Sequence, residues 1–271
     1  MSDRYCVIGN PVAHSKSPAI HAAFAAQTGQ DLVYERCLAP LDGFDATVAQ
    51  LISAGYKGAN VTVPFKLEAA ALAATLSERA RAAGAVNTLS FTAAGIAGDN
   101  TDGAGLVNDI VRNAGFAIVG KRVLLVGAGG AARGVILPLL GHRPQELVIS
   151  NRTAATADAL AASFGGHGVA VSACEFAALA GRFDIVINAT SASLAGDIPP
   201  VPAGAFGPGT LAFDMMYGSE PTPFMRFAAG HGANARDGLG MLVEQAAEAF
   251  FIWRGVRPET AAVLASLRMP A

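Results

Sequence analysis

The stretch Arg122 to Gly134, RVLLVGAGGAARG, constrains the fold of this chain more than any other. Val123 to Val126 form an apolar run too short for a helix. Gly127, Gly129 and Ala132 then fall on the three spaced small positions of a dinucleotide-binding fingerprint. Gly127 permits a tight turn, Gly129 removes a side chain that would hold a pyrophosphate off the backbone, and Ala132 lets the helix sit close on the strand. The free N–H groups and positive dipole end of that helix suit phosphate, which makes Gly127, Ala128, Gly129, Gly130 and Ala131 candidate cofactor contacts. The chain has 31 glycines, so a chance match is a real alternative and the surrounding pattern must decide.

That pattern continues with a second strand, Glu146 to Ser150, followed by Asn151, Arg152 and Thr153. An acidic residue near this point would bind the ribose 2′-hydroxyl of NAD, whereas a basic one suits a 2′-phosphate. The sequence offers Arg152 and no carboxylate, so NADP is the expected cofactor. The plain structural account of Arg152 is an exposed arginine after a strand.

The remaining elements alternate. A strand from Tyr5 to Ile8 stops at Gly9, Asn10 and Pro11, and a helix runs to about Thr28. A strand over Leu32 to Cys37 and a helix over roughly Gly43 to Ala54 follow. A strand over Asn60 to Val63, a helix over Leu67 to Leu76 and a strand over Ala85 to Phe91 complete the first part. Beyond the glycine turn come strands at Phe183 to Asn188, Thr210 to Asp214 and Ala233 to Arg236, then a long helix from about Met241 to Trp253. This is an α/β chain, and 271 residues exceed a typical single domain, so two domains are expected.

Composition narrows the partner. Charged residues make up 15% of the chain, against about 25% in average usage, and the net charge is −2, so nucleic acid and acidic membranes find no electrostatic footprint. The apolar stretch Val123 to Leu140 has nearly the length of a membrane span, but its glycines, Arg133 and Pro138 break it. No basic start with an apolar signal core precedes the first strand. Cys6, Cys37 and Cys174 are odd in number and widely spaced, against both a disulfide framework and a zinc site. A cytoplasmic enzyme acting on a small molecule, without a metal, is the expectation.

Several polar clusters carry two readings each. Ser15 and Ser17 in HSKSP either initiate a helix, with Ser17 as cap and Pro18 in the first turn, or form a carboxylate site at a helix start. Lys66, after NVTVPF, is either a solvated surface charge or a lysine facing a carboxylate. Asn87 in GAVNT can satisfy backbone groups or present a donor and an acceptor to a ligand hydroxyl. In GDNTDG, Asp99 and Asp102 read first as an Asx turn and helix cap. Small polar residues after a parallel strand, such as Asn188 and Thr190, commonly line a cofactor cleft.

Taken in order, HSKSP, NVTVPFK, GAVNT, DNTDG, GAGGAARG, NRT, NATS and DGLGMLVEQA resemble the shikimate dehydrogenase family over nearly the whole chain. The resemblance implies a substrate domain over 1–104 and 239–271, a Rossmann-type NADP-binding domain over 105–238, and C-terminal helices that return to the first domain. It implies reversible NADPH-dependent reduction of 3-dehydroshikimate to shikimate, in aromatic amino-acid biosynthesis. By the same resemblance Ser15 and Ser17 hold the substrate carboxylate, and Thr62, Lys66, Asn87, Asp102 and Gln245 surround the ring hydroxyls, with Tyr217 at the same site. Gly127 to Ala131, Asn151 to Thr153, Thr190, Met215 and Gly238 correspond to cofactor contacts. One departure is visible after NATS, where Ala192 and Ser193 occupy a loop that often carries glycine in the family.

Hydride transfer to a carbonyl requires a proton for the developing alkoxide, and Lys66 is the natural donor, oriented by Asp102. Lys66 either transfers that proton or chiefly stabilises the alkoxide. A quinate/shikimate dehydrogenase using NAD is the nearest alternative. The missing acid at Ser150 and Asn151 and the paired Ser15 and Ser17 speak against it. A noncatalytic dinucleotide sensor is the alternative from another class; loss of Lys66 or Asp102 would favour it, and both are present. The sequence leaves monomer and homodimer equally open.

Overall fold

The structure is a computed structural model, and it describes residues 2–190, 192 and 196–269. The chain forms two compact units, one of residues 1–105 with 242–271 and the other of residues 106–241. No helix among the described residues is long and apolar enough to cross a membrane.

The first unit opens with β1 (Asp3–Gly9), α1 (Ser17–Thr28), β2 (Leu32–Leu38), α2 (Phe44–Ser53) and β3 (Tyr56–Val61). It continues through α3 (Lys66–Leu72), β4 (Thr75–Leu76), α4 (Glu78–Ala83), β5 (Thr88–Thr92) and β6 (Gly95–Asp99) into α5 (Asp102–Asn108). The strands form one sheet in the order β2-β1-β3-β5-β6-β4. β1 is parallel to both its neighbours, whereas β5 runs antiparallel to β3 and β6 antiparallel to β5. Covered on both faces, β1 reads as an almost unbroken apolar run. Cys6 and Ile8 join Phe44, Val48, Val61 and Phe65 on one face, while Tyr5 and Val7 join Val12 and Tyr34 on the other.

On that second face lies an aromatic cluster with an unusual member. His21 of α1 is fully buried and stacks on Tyr34, with ring centroids 4.1 Å apart and planes 4° from parallel. Phe24, Phe250 and Trp253 surround it. Neither imidazole nitrogen has a hydrogen-bond partner among the described residues. Burial therefore lowers the imidazole to about 3. The unfolded chain takes up this proton near 6.5 and the folded chain does not, so the neutral imidazole costs nothing above that pH. Stability must fall as the pH drops below it. Between pH 6.5 and 5 the wild-type protein should lose about 1.6 kcal/mol that a His21→Phe variant keeps, the slope reaching about 1.4 kcal/mol per unit only once the unfolded imidazole is fully protonated. Urea unfolding of both proteins at the two pH values checks this; parallel losses would mean that His21 is charged in the fold.

The second unit contains β7 (Arg122–Val126), α6 (Gly130–Gly141), β8 (Glu146–Ser150), α7 (Ala154–Ala162), β9 (Ala170–Ala173) and β10 (Ile185–Asn188). After these come β11 (Leu211–Asp214), α8 (Pro223–Gly230) and β12 (Asn234–Arg236). Its sheet is wholly parallel, in the order β12-β11-β10-β7-β8-β9. This is the doubly wound arrangement, and the strand order reverses between β7 and β10, where such sheets open a ligand crevice. The chain then enters α9 (Leu239–Arg254) and α10 (Ala261–Arg268). From Leu242 onward it belongs to the first unit, so the C-terminal helices return as expected.

Three local expectations need correction. Lys16, not Ser17, occupies the cap position of α1, with no side-chain cap bond; Ser17 is already helical. The helix expected over Leu67 to Leu76 stops at Leu72, because Ala73 is extended and Thr75–Leu76 pair with β6 as a short strand. Asn87 precedes β5 instead of lying within it, which frees its side chain from the alternation of the sheet.

Candidate active site

Two helix starts in the first unit face each other across one ion pair. Lys66 is the first residue of α3 and Asp102 the first of α5, and Lys66 Nζ donates to Asp102 Oδ2 at 2.5 Å. The carboxylate is 3% exposed and the lysine side chain 21%, so the pair is accessible from the lysine side. Lys66 is therefore the lysine that faces a carboxylate, not a solvated charge.

The turn before Asp102 divides its work in a way that the sequence leaves open. Asn100 Oδ1 accepts the Asp102 N–H at 3.1 Å, and Asp99 Oδ1 accepts the Asn100 N–H at 2.6 Å. Asp99 also binds Arg79, with Nε donating at 2.7 Å. Asn100 and Asp99 thus supply the turn and cap, and the Asp102 side chain is left for Lys66.

Asn87 completes the cluster, and its amide orientation follows from its neighbours. The Thr101 backbone N–H can only donate, and it points at Asn87 Oδ1 at 2.8 Å. Asn87 Nδ2 must then face Asp102 Oδ1 at 2.9 Å and Gln245 Oε1 at 3.1 Å. That in turn orients Gln245, on α9, so that its amide NH₂ is available to an acceptor. The result is a compact group with ammonium and amide donors and one carboxylate, suited to a small polyhydroxylated molecule.

Ser15 and Ser17 lie at the start of α1, where Ser15 Oγ accepts the Ser17 N–H at 3.3 Å and Ser17 is buried. Thr62 follows β3 and is half-buried; its backbone N–H donates to Ile8 O. Tyr217 belongs to the second unit, after β11, where burial raises its phenol above the ordinary value. Among the residues that sequence reasoning missed are Thr88, Thr101 and Asn60, whose hydrogen bonds hold Asn87 in place. They are short polar residues next to expected site residues, and nothing in their spacing marks them.

In the second unit, the C-terminal ends of β7 and β10 carry the glycine turn and Thr190. Gly127 has φ 110°, a conformation that side-chain-bearing residues rarely adopt, and a Cβ there would press on Thr190 Cγ2 at 3.1 Å. Gly129 and Gly130 have open space where a Cβ would stand, so the N-terminus of α6 is bare for a phosphate group. Ala128 is buried, and Ala131 lies in the first turn of α6. Asn188 is fully buried; its Oδ1 accepts both the N–H and the hydroxyl of Thr190, and its Nδ2 donates to Asp214. Met215 is buried against Gly238, where any side chain would collide with the Met215 carbonyl. At the end of β8, Asn151 Nδ2 donates to Thr153 O at 3.1 Å, and Arg152 is exposed with no ion pair or hydrogen bond among the described residues. Ser150, where an acid would select against a 2′-phosphate, is buried and donates to Cys174 O. The bare turn and free guanidinium fit a phosphorylated dinucleotide. Ser193, in the departing loop, lies outside the described residues, as does Ser191.

No group of His, Cys, Asp and Glu among the described residues could hold a metal ion. A wholly parallel, doubly wound sheet with a glycine turn at its switch point, joined in one chain to a unit bearing a lysine–carboxylate site, defines a dinucleotide-dependent oxidoreductase class of protein. The comparisons with known proteins narrow this. Residues 7–89 match the shikimate dehydrogenase substrate binding domain, 109–195 the shikimate/quinate 5-dehydrogenase family, and 238–268 the shikimate 5′-dehydrogenase C-terminal domain. A shikimate dehydrogenase (NADP(+)) of Herminiimonas arsenicoxydans is 66% identical over 268 residues, covering 99% of this chain and 98% of its own. An Ael1 enzyme from Pseudomonas putida is 50% identical with a TM-score of 0.95 over 99% of both chains. The shikimate 5-dehydrogenase of Thermus thermophilus, solved with NADP(H) and shikimate, is 32% identical with a TM-score of 0.85 over 98% of both chains. The chain belongs to the shikimate dehydrogenase family.

Proposed function

We propose that the protein reversibly reduces 3-dehydroshikimate to shikimate with NADPH. The observation that carries this reading is the 66% identity, over nearly the full length of both chains, to a relative named shikimate dehydrogenase (NADP(+)). The residues of the two units support it. Residues 1–104 and 239–271 make up the substrate domain and 105–238 the NADP-binding domain, bounds that differ by one to three residues from those of the two compact units. Three free thiols fit a cytoplasmic location.

Lys66, oriented by Asp102, delivers a proton to the oxygen of the ketone or holds the charge that develops there. NADPH supplies the hydride when bound. Asn87 and Gln245 present amide groups to ring hydroxyls, and Thr62 adds a further hydroxyl. Ser15 and Ser17 take the carboxylate, and Tyr217 is a further substrate-binding residue. Gly127, Ala128, Gly129, Gly130 and Ala131 take the pyrophosphate, and Asn151, Arg152 and Thr153 the 2′-phosphate. Thr190, Met215 and Gly238 line the remainder of the cofactor.

The test is a nicotinamide-absorbance assay with shikimate or quinate, each paired with NADP or NAD. Turnover restricted to quinate with NAD would replace this reading by the alternative within the family, and no turnover with any pair would favour a sensor. The carboxylate assignment has its own check. Ser17→Ala should weaken shikimate binding roughly tenfold, the lower end for a bond to a charged group, since Ser15 remains. Isothermal titration reads this directly. Unchanged affinity with a lower melting temperature would return Ser17 to a purely helical role.

A further inference from the structure

A residue outside the expected site holds part of it from behind. Tyr34, on β2, is 8% exposed and its hydroxyl donates to Asn60 Oδ1 at 2.7 Å. The direction of this bond is fixed. Asn60 Nδ2 donates to the Asn87 carbonyl at 3.1 Å, an obligate acceptor, and to Thr88 Oγ1 at 3.0 Å, so Oδ1 must turn to the phenol. Thr88 Oγ1, having accepted from Asn60, donates to Asn87 Oδ1 at 2.9 Å. The phenol hydroxyl thus stands behind the asparagine that contacts Asp102.

The ring itself is immobilised. His21 stacks flat against it, and among the described residues the imidazole makes no hydrogen bond that could divert the phenol. His21 therefore serves as an aromatic backing, while the hydroxyl carries the polar link.

We propose that Tyr34 is a positioning residue: its hydroxyl, acting through Asn60, locks the Asn87 side chain in the orientation that meets the substrate. This rests on the shikimate dehydrogenase reading above. Without the hydroxyl, Asn60 Oδ1 loses its donor and the amide is free to rotate away from Thr88 and the Asn87 carbonyl. Substrate binding suffers, and the cofactor residues, in the other unit, are untouched.

The experiment is a double-mutant cycle of Tyr34→Phe and Asn60→Ala, with KM for shikimate, kcat, NADP affinity and thermal unfolding measured for all four proteins. Tyr34→Phe should raise KM roughly five- to tenfold, with NADP affinity unchanged and only the modest drop in melting temperature that one lost hydrogen bond brings. In the Asn60→Ala background the same change should have no further effect. Wild-type KM in Tyr34→Phe overturns the proposal, and so does an equal rise in both backgrounds, which would mean that Tyr34 does not act through Asn60. A Tyr34→Phe variant that loses its fold also overturns it, because the hydroxyl would then be structural. Wild-type protein without shikimate turnover fails the functional reading first, a result distinct from all of these.

Discussion

Replacing Lys66 by alanine lowers kcat by about 10² to 10⁴, the usual worth of a positioned acid or base, and leaves NADP affinity as it was. The separation follows from where the groups lie. Lys66 pairs with Asp102 inside the first unit, whereas the glycine turn and Arg152 belong to the second. Removing the lysine also leaves Asp102, 3% exposed, with only Asn87 and its own helix start for company among the described residues, so some loss of stability accompanies the loss of rate. Thermal unfolding of the variant keeps the two effects apart, and fluorescence titration with NADP supplies the control. Wild-type kcat would sink the assignment. A rise in KM alone would make Lys66 a binding group, because a group acting only in the transition state lowers kcat and kcat/KM together.

Arg152→Ala should lose roughly ten- to 150-fold in NADP affinity and almost nothing for NAD. A guanidinium bonds a 2′-phosphate directly, and a hydrogen bond to a charged group is worth about 1.5 to 3 kcal/mol. Arg152 is exposed with no competing partner among the described residues, so the whole fork is available, while Asn151 is partly occupied by Thr153. NAD presents only a hydroxyl at that place. The comparison is kcat/KM for both cofactors in both proteins at matched ionic strength, since salt weakens an exposed contact. An equal loss for NAD and NADP would move Arg152 to the common pyrophosphate or to the fold, and the 2′-phosphate assignment would be withdrawn.

What could be read from the residues follows the range of the interactions involved. The turn at Gly127 is local: strand, glycines and helix are all encoded within a few positions, and β7 and α6 appear where the pattern places them. Parallel strands buried on both faces, such as β10 and β11, also announce themselves as short apolar runs. Thr75–Leu76 could not be assigned this way, because a two-residue strand exists only through its pairing with Ala97 and Gly98. The same holds within the site. Asp102 sits in a turn motif that any acidic cap would satisfy, and only its approach to Lys66, far away in sequence, separates the two readings. His21 is invisible for the opposite reason: a histidine on a helix suggests a polar role, and its complete burial against Tyr34 is a property of the packed aromatic cluster alone.

The division of the first unit between the two ends of the chain sets the order in which the protein can be made. Its sheet is held by contacts from α9: Trp253 Nε1 donates to the Leu89 carbonyl, Arg254 pairs with Asp3, and Glu248 with Arg79. A growing chain that has passed β6 still lacks every one of these partners. At about 5 to 20 residues per second, the roughly 150 residues between β6 and Trp253 take on the order of 10 to 30 s to synthesise. During that interval the unit of residues 106–241 is synthesised as one contiguous stretch, whereas the earlier sheet has His21 of α1 against Tyr34 but still lacks Trp253 against Tyr5. Helices made after the second unit are the ones that finish strands made before it.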